Sequence, residues 1–127
     1  MVRLEKFGEM KYDKENESWT CEYGKIRIYI SYEKSENPNE DLVKYAMTIF
    51  NRMNLYNLSI EKAKEKYALN NESLRSEVTY LQIDEISFNR FKDKFWFMVL
   101  FKGGKEYRLW RTEFHNDNID CELNYDQ

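Results

Sequence analysis

The chain has 127 residues, with 20 Lys+Arg against 23 Asp+Glu and a formal net charge of -3. That length suits one domain spanning 1–127, because two half-sized domains would each bury too little surface to be stable. With 42% hydrophobic and 17% aromatic residues, one Pro and four Gly, the composition excludes a disordered, collagen-like or linker chain, and the slightly acidic balance argues against a general nucleic-acid binder.

At the N-terminus Arg3, Glu5 and Lys6 break up the apolar core that a signal peptide needs. The first strand pattern is a weak one over Leu4 to Tyr12, with Gly8 as a bulge. Trp19, Cys21 and Tyr23 then alternate with Thr20 and Glu22, and Ile26, Ile28, Ile30 and Tyr32 alternate with Lys25, Arg27, Tyr29 and Ser31. Both patterns have the period of two that marks a strand with one buried face. Gly24 between them allows a tight turn, so they form a hairpin.

Residues 35–39 form a polar loop with the only proline, Pro38, and Asn39 or Asn37 is placed to cap a helix. Leu42, Ala46, Ile49, Phe50 and Met53 lie on one helical face. Asn54 to Asn57 interrupts that pattern, and Asn57 or Ser59 caps a second helix carrying Ile60, Ala63 and Tyr67, which ends at Asn70-Asn71.

Val78 to Phe88 is rich in strand formers, but its apolar parity slips at Asp84-Glu85, which predicts a bulge or bend. Phe95 to Phe101 is apolar on both parities, the pattern of a central strand covered on both faces. It is also the longest strongly apolar run, far short of the roughly 20 residues of a membrane span. Lys102-Gly103-Gly104-Lys105 predicts a tight hairpin turn, with Tyr107 to Phe114 returning as the partner strand. From Asn116 the tail is polar and acidic, with Ile119 and Leu123 as edge-strand residues. The expected architecture is α+β: an antiparallel sheet of about six strands, with two helices inserted after the third strand and packed on one face.

Sites of chemistry are sparse. His115 is the single histidine, and no glycine-framed serine or cysteine accompanies it. His115, Asp117, Asp120, Cys121 and Glu122 cluster in sequence, but one His and one Cys fall short of a structural zinc set. Asp84 and Glu85, as neighbours in a strand, point to opposite faces and cannot act together on one substrate. No enzyme activity, metal or cofactor is expected. Cys21 and Cys121 are expected to be reduced, buried or incidental thiols of a cytoplasmic protein.

Charge distribution says more. Residues 90–111 hold seven basic groups against two acids, and residues 112–127 hold five acids with no Lys or Arg. The two segments either neutralise each other or form two poles that steer a charged protein partner. The aromatic side chains also exceed what such a core takes, and exposed aromatics anchor protein interfaces. Tyr12, Tyr29, Tyr45, Tyr56 and Tyr125 are the expected exposed ones.

The run Phe-Gly-x-Met-x-Tyr-Asp (7–13), Trp19, the Ile-rich strand 26–30, the helical pair, Leu81-x-Ile83-x-x-Ile86-x-Phe88 and the aromatic hairpin 95–114 together resemble small bacterial domains of uncharacterised function. Some of these are encoded beside polymorphic or contact-dependent toxins as immunity proteins. The resemblance carries no site residue. It implies a non-enzymatic protein that blocks a cognate toxin by occluding its active site, with no direct contact to nucleic acid or membrane. If the toxin is a nuclease, its phosphate-binding groove is basic, and Glu113, Asp117, Asp120, Glu122 and Asp126 are the expected contact surface. The alternative is a small-molecule or peptide-sensing domain with a pocket lined by Trp19, Tyr67 and Trp96. Edge strands offer a route to a dimer, and the sequence leaves the oligomeric state open.

Overall fold

The structure, a computed structural model, describes residues 2–4, 8–31, 33 and 37–126. Strands lie side by side in chain order: β1 (Val2–Leu4), β2 (Gly8–Asp13), β3 (Ser18–Tyr23), β4 (Ile26–Ser31), β5 (Gln82–Phe91), β6 (Lys94–Lys102), β7 (Leu109–His115) and β8 (Asn124–Asp126). Between β4 and β5 come α1 (Glu40–Asn51), α2 (Met53–Asn70), a 3-10 turn (Glu72–Leu74) and the short α3 (Arg75–Thr79). The fold is α+β with a mostly antiparallel sheet. The expected strands and helices correspond to the long elements β2–β7, α1 and α2, with the helices after the third long strand. The additions are short: β1 and β8, three residues each, and α3, five. Tyr32, residues 5–7 and loop residues 34–36 lie outside the described residues.

One pairing departs from the expected all-antiparallel sheet. β4 and β5 are parallel, with Ile28 beside Ile86 and Ile30 beside Phe88. A two-residue turn forces antiparallel neighbours, but a helical crossover is long enough to bring the chain back to the end of the sheet where β4 began. The predicted β3–β4 hairpin is present. Tyr23 pairs with Ile26, and Gly24 has φ +62°, which a glycine adopts without steric cost. The predicted parity slip is a register shift between Ile83 and Glu85. It keeps Ile83 and Ile86 on the same face although they are three residues apart.

Helix α1 starts where expected: Leu42 N donates to Asn39 Oδ1 at 2.9 Å, satisfying an otherwise orphaned backbone donor. Helix α2 starts earlier than its pattern suggests. The break is at Arg52 alone (φ -115°), so Tyr56 falls in line with Ile60 and Ala63 on the inner face. Tyr56, expected to be exposed, is 0% exposed and meets Phe114 and Phe97 edge-on at 5.0 and 5.2 Å. Tyr45 is half-buried too, stacked on Phe95 at 5.1 Å, and Tyr125 lies on Trp110 at 4.7 Å. Tyr12, at 43% exposure, is the expected surface ring.

Val78 is buried, but in α3 rather than at the head of a strand. Helix α3 is anchored through the neighbour of Val78, Glu77, whose side chain is 7% exposed. The Glu77 carboxylate accepts hydrogen bonds from Arg108 Nε (2.9 Å), the backbone N–H of Lys105 (3.2 Å) and the indole N–H of Trp110. It thereby holds the β6–β7 connection, residues 103–108, against the helix layer. That connection is longer than the tight turn expected at Gly103-Gly104. A Cβ on Gly103 (φ +100°) would lie 2.7 Å from the Tyr80 carbonyl oxygen, and one on Gly104 would lie 2.6 Å from the Trp110 ring. Both glycines are therefore set by close packing.

The Arg108 guanidinium, followed by the indole and backbone donors, holds the Glu77 carboxyl down at about 2, against burial that acts the other way. Its folded value lies below the unfolded one. The stability it contributes is therefore complete above about pH 4.5 and is lost as pH falls toward about 2. Glu77→Gln should lower unfolding free energy by about 3 kcal/mol near neutral pH. The gap to wild type should close near pH 2, as read from urea melts at the two pH values.

Candidate functional site

Successive side chains of a strand point to opposite faces, so the register sorts the sheet into two. On the inner face Trp19 pairs with Ile30, Ile28 with Ile86, Ile86 with Val99, and Phe97 with Phe114. The rings of α1 and α2 meet this face, as in Phe50–Phe88, Tyr56–Phe114 and Tyr67–Trp110.

The opposite face carries three rows that cross the strands. Arg27, Glu85, Leu100, Arg111 and Asn124 form the first row. Thr20, Tyr29, Ser87, Met98 and Glu113 form the second, and Asn89, Trp96 and His115 the third. The expectation that Phe95 to Phe101 is covered on both faces is corrected here. Phe97, Val99 and Phe101 are buried beneath the helices, whereas Trp96, Met98 and Leu100 are half-buried and flanked by polar neighbours. Phe91 and Leu109, on the same face by register, are 66% and 50% exposed. The site is thus an apolar centre on β6, ringed by charge.

The charges are arranged in pairs. Arg27 lies 3.6 Å from Glu85. Arg111 sits between Glu113 (3.2 Å) and Asp126 (3.1 Å), and His115 Nε2 is 3.6 Å from Glu113. Of the acids predicted as a contact surface, Glu113, Glu122 and Asp126 are brought together around Arg111. A hollow of about 210 Å³ there is lined by Arg111, Glu113, His115, Glu122 and Asn124. Asp117 and Asp120 are exposed in the loop between β7 and β8.

That loop is tied down rather than a free tail. Tyr45 Oη donates to the Asn116 carbonyl at 2.7 Å, and Leu123 is 3% exposed. Cys121 Sγ lies 3.5 Å from Ser59 Oγ. Burial pushes the Cys21 thiol up to about 11 and the Cys121 thiol up as well, which keeps both protonated and unreactive near neutral pH. Among the described residues no three His, Cys, Asp or Glu side chains are placed to hold a metal ion, and no helix is long and apolar enough to cross a membrane.

Trp19, Tyr67 and Trp96 do not line one pocket. Trp19 is on the inner face of β3, Tyr67 meets Trp110 at 5.1 Å, and Trp96 is on the opposite face of β6. In the sequence Trp96, Met98 and Leu100 read as core, because they belong to a run that is apolar on both parities. The signal was in the strands alongside: Glu85, Ser87 and Asn89 of β5 and Arg111, Glu113 and His115 of β7 share their face. An apolar helix layer over them would bury several charges without supplying partners, at high cost.

The two faces should answer differently to truncation along β6. Phe97→Ala should cost about 3–5 kcal/mol, and the adjacent Met98→Ala less than about 1 kcal/mol, measured by chemical denaturation. No protein-family model, curated protein or solved structure matches this chain.

Proposed function

We propose that the protein works without catalysis, by docking another protein on the uncovered face of its sheet. In this reading it is an immunity-type inhibitor that occupies the active site of a bacterial toxin in the cytoplasm. One observation carries the docking reading: Trp96, Met98 and Leu100 form an apolar centre with paired charges around it, the layout of a protein interface with an apolar core and a polar rim. The strand spacing and rise give the face of β2–β8 a footprint of about 600 Å², close to the roughly 800 Å² that one partner contributes to a specific complex. The gathering of Glu113, Glu122 and Asp126 at one edge, with Asp117 and Asp120 in the adjoining loop, supports a partner with a basic groove, as in a nuclease. A ligand-sensing role has less support, because Trp19, Tyr67 and Trp96 are dispersed.

The test is affinity purification of the tagged chain from its native cells, followed by assay of what it retains. The expected result is one stoichiometric enzyme, inhibited by equimolar chain. Trp96→Ala should weaken that complex by about thirtyfold. Charge reversal at Asp117, Asp120 and Glu122 should weaken it and flatten its salt dependence. A retained enzyme that stays fully active would overturn the immunity reading. Equal retention by Trp96→Ala would overturn the docking face.

A further inference from the structure

We propose that a second copy of this chain covers the uncovered sheet face, about a two-fold axis that crosses β6 between Met98 and Leu100. The proposal rests on the reading of that face as a docking surface and names an occupant for it. Four adjacent strands each present two same-face residues, one in the first row and one in the second. These are Arg27 and Tyr29 on β4, Glu85 and Ser87 on β5, Leu100 and Met98 on β6, and Arg111 and Glu113 on β7. A two-fold axis lying in the interface and running between the rows exchanges them. Each residue of one copy then faces the other row of the same strand in its partner.

The resulting pairs are complementary. Leu100 meets Met98 at the centre. Arg111 meets Glu113, extending the ion pairs already built around Arg111. Arg27 meets the Tyr29 ring, a cation on an aromatic face, and Glu85 meets the Ser87 hydroxyl. Every pair occurs twice, as an isologous interface requires.

Electrostatics selects this axis over the alternatives. An axis along the strands between β5 and β6 would set Arg27 against Arg111, and one through the row of Met98 would set Glu113 against itself. Like charges opposed across an interface are strongly unfavourable. A footprint of about 600 Å² per copy gives about 1,200 Å² in total, the lower limit for specific complexes, so the dimer should be a weak one that a tighter partner displaces.

The register can be tested by mixing variants in sedimentation velocity runs from about 1 µM to about 1 mM. Wild type should pass from monomer to dimer across that range. Met98→Glu and Leu100→Lys should each weaken self-association at least about tenfold. Their equimolar mixture should recover a dimer, because one introduced carboxylate then faces one introduced ammonium while the second central pair stays native. Glu113→Lys and Arg111→Glu follow the same logic and serve as a second pair should either central variant melt early. A wild-type chain that stays monomeric throughout, a dimer indifferent to Met98→Glu, or folded variants whose mixture fails to recover would each overturn the proposal. A monomeric wild type that still loses a foreign partner on Trp96→Ala would remove the second copy as occupant and leave the docking face standing.

Discussion

The structure turns on a shortage of helix. α1 and α2 have 12 and 18 residues, about 18 and 27 Å of length. Laid against a sheet of eight strands, they cover one face. Every strand is therefore sorted by that single layer: residues beneath it are apolar and close-packed, and residues opposite must tolerate water or a partner. β5 and β7 meet the requirement with Glu85, Ser87 and Asn89 and with Arg111, Glu113 and His115. β6 does not, and its Trp96, Met98 and Leu100 remain as an apolar strip on the uncovered side. The candidate site is thus a departure from the pattern that the middle of β5 and of β7 obeys, extended by Phe91 at the end of β5 and Leu109 at the start of β7. It breaks local rules without a gain in folding.

A second constraint works at the end of the helix layer. A buried carboxylate is costly unless it is paired and hydrogen-bonded. Glu77 has a guanidinium, an indole N–H and a backbone N–H converging on it. The same contacts fix α3, the connection between β6 and β7, and the ring of Trp110. This interaction ties sequence-distant elements into one unit, and it explains why two glycines stand where the loop passes Tyr80 and Trp110. It also keeps the first row of the uncovered face in place, since Arg111 follows Trp110 directly in β7.

Much of the fold was legible in the residues. Alternation over 19–31 and the turn at Gly24 specify the β3–β4 hairpin. Asn39 caps α1 through a contact three residues away, and the slip at Asp84-Glu85 is a local miscount in a pattern of period two. Each of these signals is carried by neighbours in sequence. Tyr56 shows the limit: a polar-looking stretch around Asn54 and Asn57 suggests a gap, yet helix α2 continues through it, and Tyr56 packs edge-on against the stacked rings of Phe97 and Phe114. Val78 shows it again, since packing of α3 overrides the strand preference of its side chain. The division of the acidic C-terminal residues into a cluster around Arg111 and a strapped loop depends on Tyr45, Ser59 and the pairing of β8 with β7.

By itself the sequence determined the α+β class, most of the span of the long strands and helices, the bulge and the Asn39 cap of α1, because these follow from periodicity and from residues close in the chain. The cap expected at Asn57 or Ser59 falls inside α2, which begins at Met53. Only the tertiary structure decided that β4 and β5 run parallel, that Glu77 anchors the β6–β7 loop, and that one side of β6 is left uncovered. The physical reason is the same in each case. The direction of a crossover, the partner of a buried charge and the covering of a sheet face are properties of surfaces that meet only after folding, and an apolar run on both parities carries no mark of which side receives the helices.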